Sequence, residues 1–456
     1  MATNLLRRTQ HQEDENKYAK YGFTQNPFPI DPTVKPFSED RRENGSIFLE
    51  DLRTEELEEF NQRIINSRTK IGFLMDYAAY RGRGIGKTAF MNYVKNEINR
   101  DLGNDISGGT EVLYAIYVSP SPEKRERTMS LIARNIYTSM LNSDLLQIVF
   151  SRLRAFSGEV SEDILMQIDS PSLYLDTICN DSWLFERGVN VNKLNDFVNQ
   201  KLLDIGIQIT PEARTLFSAN DSHKSYNDFY EYFSLFAMGE YAWKREGCKM
   251  VFDTLVRLLK TADITHCIIL LDEVEKIVTY QNFAEKRAFC DSLRNYFIDG
   301  PSINAISAYY KLFMTIHPNS QELLMPHWQA AGLERFSDLG GNTAKDNTVF
   351  FRPIQSTGDM TRKLTLIYMN NARDDRDINI NSVSPFTERA LDAIMLKAQM
   401  VPGRFLKYMY NAVEKGIENE WDVIDLPQVE TMWSSSNESD SLFGETMTLP
   451  ETKTVL

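Results

Sequence analysis

Gly82-Arg83-Gly84-Ile85-Gly86-Lys87-Thr88 sets three glycines, a lysine and a hydroxyl at close, fixed spacing. Glycines let successive backbone N–H groups turn toward an anion, and a helix opening just behind them adds its partial positive charge. In that setting Lys87 would reach the β- and γ-phosphates of a nucleoside triphosphate, and the Thr88 hydroxyl would bind Mg2+. All seven residues are candidates for phosphate binding. One departure stands out: Arg81 occupies the position five residues before Gly86 where such loops commonly carry glycine, and Gly82 supplies the flexibility one residue later. A second constellation is Ile268-Ile269-Leu270-Leu271-Asp272-Glu273. A buried apolar strand ending in two carboxylates puts them at the carboxyl edge of a sheet, where ligands bind in open α/β folds. Asp272 would hold Mg2+ through its water shell, and Glu273 would polarise an attacking water. An acidic helix start after a strand explains the two carboxylates alone, but not their company with the glycine-rich loop.

The elements that must position these groups are legible as alternating patterns. Ile71 to Met75 is a short apolar run and predicts a first buried strand; a helix follows from Lys87 with Phe90, Met91, Val94 and Ile98 on one face. Glu111 to Val118, His266 to Leu271, Lys311 to Ile316 and Thr348 to Phe351 read as further strands separated by helical stretches. That alternation predicts an α/β fold with a parallel sheet and helices on both faces. Phe48 to Asn66 has helical spacing, and Asn26-Pro27-Phe28-Pro29 must be extended. From 119 to 246 the pattern is helical, as in Thr128 to Leu141 and the aromatic-rich Tyr226 to Met238, and no segment resembles a buried strand. The aromatics there, Trp183 and Phe229 among them, read as a second core. Met360 to Ala372, Glu388 to Gln399 and Gly403 to Lys415 predict a small helical bundle, followed by a polar, disordered tail.

Composition bounds the setting. The 456 residues are enough for two or three domains, and no apolar run approaches the roughly 18 residues that span a bilayer. The first twenty residues are too polar for a secretory signal, so a cytoplasmic protein without membrane contact is expected. Cys179, Cys248, Cys267 and Cys290 lack the paired spacing of a zinc site or a disulfide framework. The net charge of −14 argues against a whole surface that grips nucleic acid, so any DNA contact would come from a local patch or the inner face of an assembly.

With the phosphate loop, the LLDE strand end and the Asn26-Pro27-Phe28 arm in place, the chain resembles the AAA+ P-loop ATPases. The resemblance is to the branch of origin-recognition initiators, transposition regulators and phage-defence ATPases, over roughly residues 20–118 and 250–420. It implies ATP and Mg2+ as cofactors. It also implies a polar sensor at His317, with Thr315 and Asn319 behind it, an arginine finger at Arg335 closing the helix after the fourth strand, and a second sensor arginine at Arg404. The expected organisation is an N-terminal arm (1–44), a first core part (45–118), a large helical insertion (119–246), a second core part (247–354), a C-terminal helical lid (355–430) and a tail (431–456). The insertion departs from the family's compact core, and the chain ends too soon after the lid for a winged-helix DNA reader. Sequence-specific DNA recognition is therefore not expected. The function implied is an ATP-hydrolysing regulator that forms a homo-oligomer with ATP and controls an effector or partner protein, with room for DNA. The alternative is a nucleotide-gated switch in antiviral defence that controls an effector without DNA; a phosphotransferase on the same core is a third class.

Overall fold

The computed structural model describes residues 16–36, 38–76, 84–120, 129–141, 145–168, 174–205, 245–300, 309–340, 346–352, 354, 358–373 and 380–435. Tyr226 to Met238, Phe229, Arg81, Gly82 and Arg83 lie outside these residues. The chain divides into two compact units, one of residues 55–78 and 91–351, the other of residues 1–54, 79–90 and 352–456.

The larger unit holds the sheet. Its strands are β1 (Ile71–Asp76), β2 (Leu113–Val118), β3 (His266–Leu271), β4 (Tyr310–Ile316) and β5 (Thr348–Phe351). All neighbours pair in parallel, in the order β2-β3-β4-β1-β5. The fold is therefore α/β with a five-stranded parallel sheet flanked by helices. Side-chain alternation sorts the strands into two faces. Ile71, Phe73 and Met75 of β1, Cys267, Ile269 and Leu271 of β3, and Leu312 and Met314 of β4 enter one core with the helices Arg245–Thr261 and Phe283–Arg294. The intervening residues turn to the other face, where Phe313 meets Phe60 edge-on at 4.9 Å. Lys311, on that face and 3% exposed, donates its ammonium to the carbonyls of Ile64, Ile65 and Ser67 at 3.0, 2.6 and 3.2 Å. Those bonds satisfy carbonyls where the helical segment Asn61–Ile65 ends. The β2 edge is closed by Asn99, whose amide accepts from Ala115 N at 2.7 Å and donates to Ala115 O at 2.9 Å. Those bonds occupy the backbone groups of Ala115 on the edge strand.

Between β2 and β3 the described residues are helical, with no strand. Helices Leu145–Phe156 and Val191–Asp204 are joined through Arg154, which is fully buried. Its guanidinium donates to Asp181 at 2.5 Å, Asn195 at 2.9 Å and the Ile178 carbonyl at 3.0 Å. Beside it Val160, Ile178, Leu184 and Leu194 form a separate small core, against which Trp183 packs.

The other unit is built around the arm and the C-terminal helices Gly358–Ala372, Glu388–Lys397, Pro402–Glu418 and Leu426–Ser435. Asn26 folds the arm on itself, its side-chain oxygen accepting from Phe28 N at 3.1 Å, while its amide nitrogen donates to Glu414 at 2.9 Å. Phe28 is thereby delivered into a fully buried position between Tyr368 and Phe386. Lys17 and Tyr18 also donate to Glu414, at 2.7 and 2.6 Å.

Two local expectations need correction. The stretch Phe48 to Asn66 is not one helix but a 3-10 turn Glu50–Leu52, a helix Thr54–Phe60 and a π-turn Asn61–Ile65; the break falls at Arg53, which is buried and bonded to distant carbonyls. The expected tail from 431 begins inside the helix Leu426–Ser435, because Val429 and Met432 bury against the bundle.

Truncating Phe28 to Ala should destabilise its unit by about 3–5 kcal/mol, read as an earlier denaturation midpoint for the arm and bundle. Burial pulls the Glu414 carboxyl upward, but the hydrogen bonds from Lys17, Tyr18 and Asn26 outweigh it and hold the group below its usual range. A carboxyl lowered on folding stabilises above its unfolded value and loses that contribution as pH falls. Wild type should therefore melt above Glu414→Gln at neutral pH, and the gap should close below about pH 4, the ordinary carboxylate range.

Candidate functional site: the carboxyl edge of the sheet

The alternation of the strands places Asp76, Tyr117 and Thr315 at the carboxyl ends of β1, β2 and β4 on one face, and Asp272 follows immediately after β3 on the same face. Because β3 runs between β2 and β4, Asp272 is met from both sides. Its carboxylate accepts from the Thr315 hydroxyl at 2.7 Å, from the Tyr117 hydroxyl at 3.0 Å and from the Glu273 amide at 2.8 Å. Asp272 N continues the ladder to Val118 O at 2.8 Å, which fixes the backbone from which the side chain leaves. Asp272 is only 2% exposed, and a carboxylate taken from water needs such donors. Burial, then the charge of Asp272, pushes the Tyr117 phenol well up, so it stays protonated and serves as a donor.

Glu273 is next to Asp272 but turned differently. Its φ of 52° is in the left-handed region, uncommon for a residue with a side chain. Its amide points at Thr315 Oγ1, 2.8 Å away, and its carboxylate accepts from Ser119 Oγ at 2.9 Å and pairs with the Lys276 ammonium. The residue expected to polarise water is thus engaged by a hydroxyl and a cation. His317 occupies the position just before the helix Pro318–Ala330, and its Nε2 lies 3.8 Å from an oxygen of Asp76, whose side chain is buried. The structure sets Thr315 against both Asp272 and Glu273.

Of the phosphate-loop candidates, Gly84, Ile85, Gly86, Lys87 and Thr88 are described. Gly84 and Gly86 have φ of 85° and 98°, which only glycine adopts freely, and Lys87 is the first residue of the helix Lys87–Asp101. Ile85 is buried, while Lys87 and Thr88 are half-buried. Arg404 sits in the first turn of the helix Pro402–Glu418 and donates to Gln399 at 2.7 Å.

Arg335 does not close a helix as expected. The helix ends at Ala330, Gly332 turns the chain with a φ of 69°, and Arg335 ends a separate 3-10 turn, Leu333–Arg335. It is exposed beside the exposed Phe336 and takes no part in the cluster around Asp272.

Sequence reading missed Asp76, Tyr117, Ser119 and Lys276. A signal existed for the first two, since a period-two count from Leu74 or Ala115 places both on the face that carries Asp272. For Ser119 and Lys276 no signal existed, because their contact depends on the left-handed turn at Glu273.

Thr315→Val should destabilise the larger unit by about 1.5–3 kcal/mol, the range for a hydrogen bond to a charged group, measured by denaturant unfolding. Tyr117→Phe should act in the same direction, and the double variant should differ from the sum of the two because both donors serve one carboxylate.

No protein-family model matches this chain, and no curated protein matches it.

Proposed function

We propose that this chain is an ATP-hydrolysing P-loop ATPase of the AAA+ kind, which assembles with copies of itself when ATP is bound and controls a partner protein. The observation that carries the reading is local: two glycines with positive φ lead directly into Lys87 at the head of a helix, downstream of the buried strand β1. The oriented carboxylate after β3 supports it, as does the strand order, in which β1 lies between β4 and β5. Lys87 would bind the β- and γ-phosphates. Mg2+ keeps several waters when bound beside phosphate oxygens; the Thr88 hydroxyl would bind it, and Asp272 would hold it through that water shell. The ion would draw phosphate charge and favour departure of the leaving oxygen.

Glu273 would orient the water and take its proton. Thr315 would keep the Asp272 carboxylate and the Glu273 backbone in register. Arg404 would meet the γ-phosphate from the C-terminal helices, which act as a lid. Arg335, exposed on its short turn, would stabilise transition-state charge in a neighbouring copy. His317, beside Asp76, would relay the state of the phosphate. DNA contact, where it occurs, would come from the assembled form.

One observation favours the second reading, a switch governed by occupancy instead of turnover: the Glu273 carboxylate is held by Ser119 and Lys276. The two readings part on Lys276→Ala. If the ion pair restrains a working base, the variant should hydrolyse ATP faster than wild type; a rate unchanged at background favours the switch.

Glu273→Gln should bind ATP as wild type does while its turnover falls by about a hundredfold or more, measured by phosphate release. With ATP and Mg2+ the same variant should show a solution mass of several protomers. Arg335→Ala should keep ATP affinity and lose turnover, and undiminished turnover would remove the finger role.

A further inference from the structure

Three consecutive carbonyls of the glycine-rich loop are each held by a different donor. Gly84 O accepts from Gly403 N at 3.0 Å, Ile85 O from Arg53 Nη2 at 2.7 Å, and Gly86 O from Phe90 N at 2.9 Å. The third is an ordinary helix-starting bond. The other two come from segments remote in sequence, the turn before the helix Thr54–Phe60 and the first turn of the helix Pro402–Glu418. Arg53 is 4% exposed, and its other terminal nitrogen, Nη1, donates to Arg352 O at 2.7 Å. One rigid guanidinium thus bridges the loop and the chain leaving β5.

In a trans peptide the carbonyl of one residue and the N–H of the next point in opposite directions. Holding the carbonyls of 84, 85 and 86 therefore turns the amides of Ile85, Gly86 and Lys87 away from the groups that hold them. A glycine-rich segment left to itself samples many backbone orientations and would lose that freedom on binding an anion. Anchored carbonyls remove most of that loss beforehand.

The contact with Gly403 is a close backbone approach, and a side chain there would oblige the loop to give by a few tenths of an ångström. A Cβ on Gly403 would lie 3.1 Å from Gly84 O and 3.2 Å from Gly84 Cα, both backbone atoms. Lysine would replace Arg53 only in part, because a single ammonium on a flexible stem keeps the charge without the planar fork that fixes both carbonyls.

We infer that Arg53 and the Gly403 amide are positioning groups that preset the loop backbone for a triphosphate, and that Gly403 ties the start of the helix Pro402–Glu418 to the loop's conformation. This rests on the reading of residues 82–88 as a phosphate loop. Neither group needs to touch the nucleotide.

The test is titration calorimetry on the full chain with ATP and with inorganic tripolyphosphate, alongside the melting temperature without ligand. Wild type, Arg53→Gln, Arg53→Lys and Gly403→Ala are compared. Arg53→Gln and Gly403→Ala should weaken both ligands by about tenfold, on the scale of one charge-assisted hydrogen bond, and by the same factor for each. The equal factor is expected because the loop meets only the phosphates. Arg53→Lys should recover part of the loss. Variants that melt earlier yet bind both ligands as tightly as wild type would overturn the inference and leave Arg53 a structural residue. Should Arg53→Gln not fold, Arg53→Lys and Gly403→Ala decide by the same comparison. Wild type that binds neither ligand would instead sink the phosphate-loop reading itself, and this inference with it.

Discussion

Taking the Asp272 carboxylate out of water obliges the fold to supply donors for it, and the strand order is what makes that supply available. With β3 between β2 and β4, Tyr117 and Thr315 arrive from the two flanking strands, and the Glu273 amide closes the third side. Each donor depends on register: a slip of one residue in β4 would send Thr315 to the apolar core and Met314 or Ile316 to the carboxylate. The apolar packing of one sheet face and the polar row at the end of the other are thus two consequences of a single pairing pattern. The Lys311 ammonium, buried on the polar face near the opposite end of β4, is satisfied by the same logic with backbone carbonyls.

Glu273 shows why neighbours in sequence need not share a role. Asp272 is immobilised by three donors, whereas Glu273 is swung by its left-handed backbone toward Ser119 and Lys276. Holding a residue in that region costs about 1–3 kcal/mol unless the surroundings compensate, and the bond from its amide to Thr315 is one such compensation. The Glu273 carboxylate is thereby paired with a cation three residues on, which under the proposed function would keep turnover low until something competes for the lysine. The helical region between β2 and β3 is anchored in turn by the buried Arg154 and Asp181 pair. Breaking one partner of such a pair is strongly destabilising.

The strands were legible because each is a mostly apolar run of four to seven residues, and observed ends fall within two residues of those read from the sequence. Their order was not legible, since hydrophobic runs carry no information about neighbours. Asp272, Glu273, Lys87 and Thr88 were singled out as candidates because the chemistry they suggest is concentrated in contiguous residues. Alternation gives the face of Tyr117 but not its partner, which pairing across more than 150 residues supplies, and the contact of Ser119 depends also on the left-handed turn at Glu273. Helical periodicity misled where a single side chain interrupts it. Arg53 divides the stretch from Phe48 to Asn66 because its guanidinium is drawn into the interior, and Gly332 separates Arg335 from the preceding helix by adopting a conformation the periodic pattern cannot register.

Binding of ATP at Lys87 is the claim on which the functional account rests, and equilibrium titration of wild type and Lys87→Ala with ATP, in the presence and absence of Mg2+, tests it most directly. The account predicts saturable binding to wild type, strengthened by Mg2+, and its loss in Lys87→Ala with the melting temperature of the unliganded protein unchanged. Equal affinity of the two proteins for ATP would contradict it.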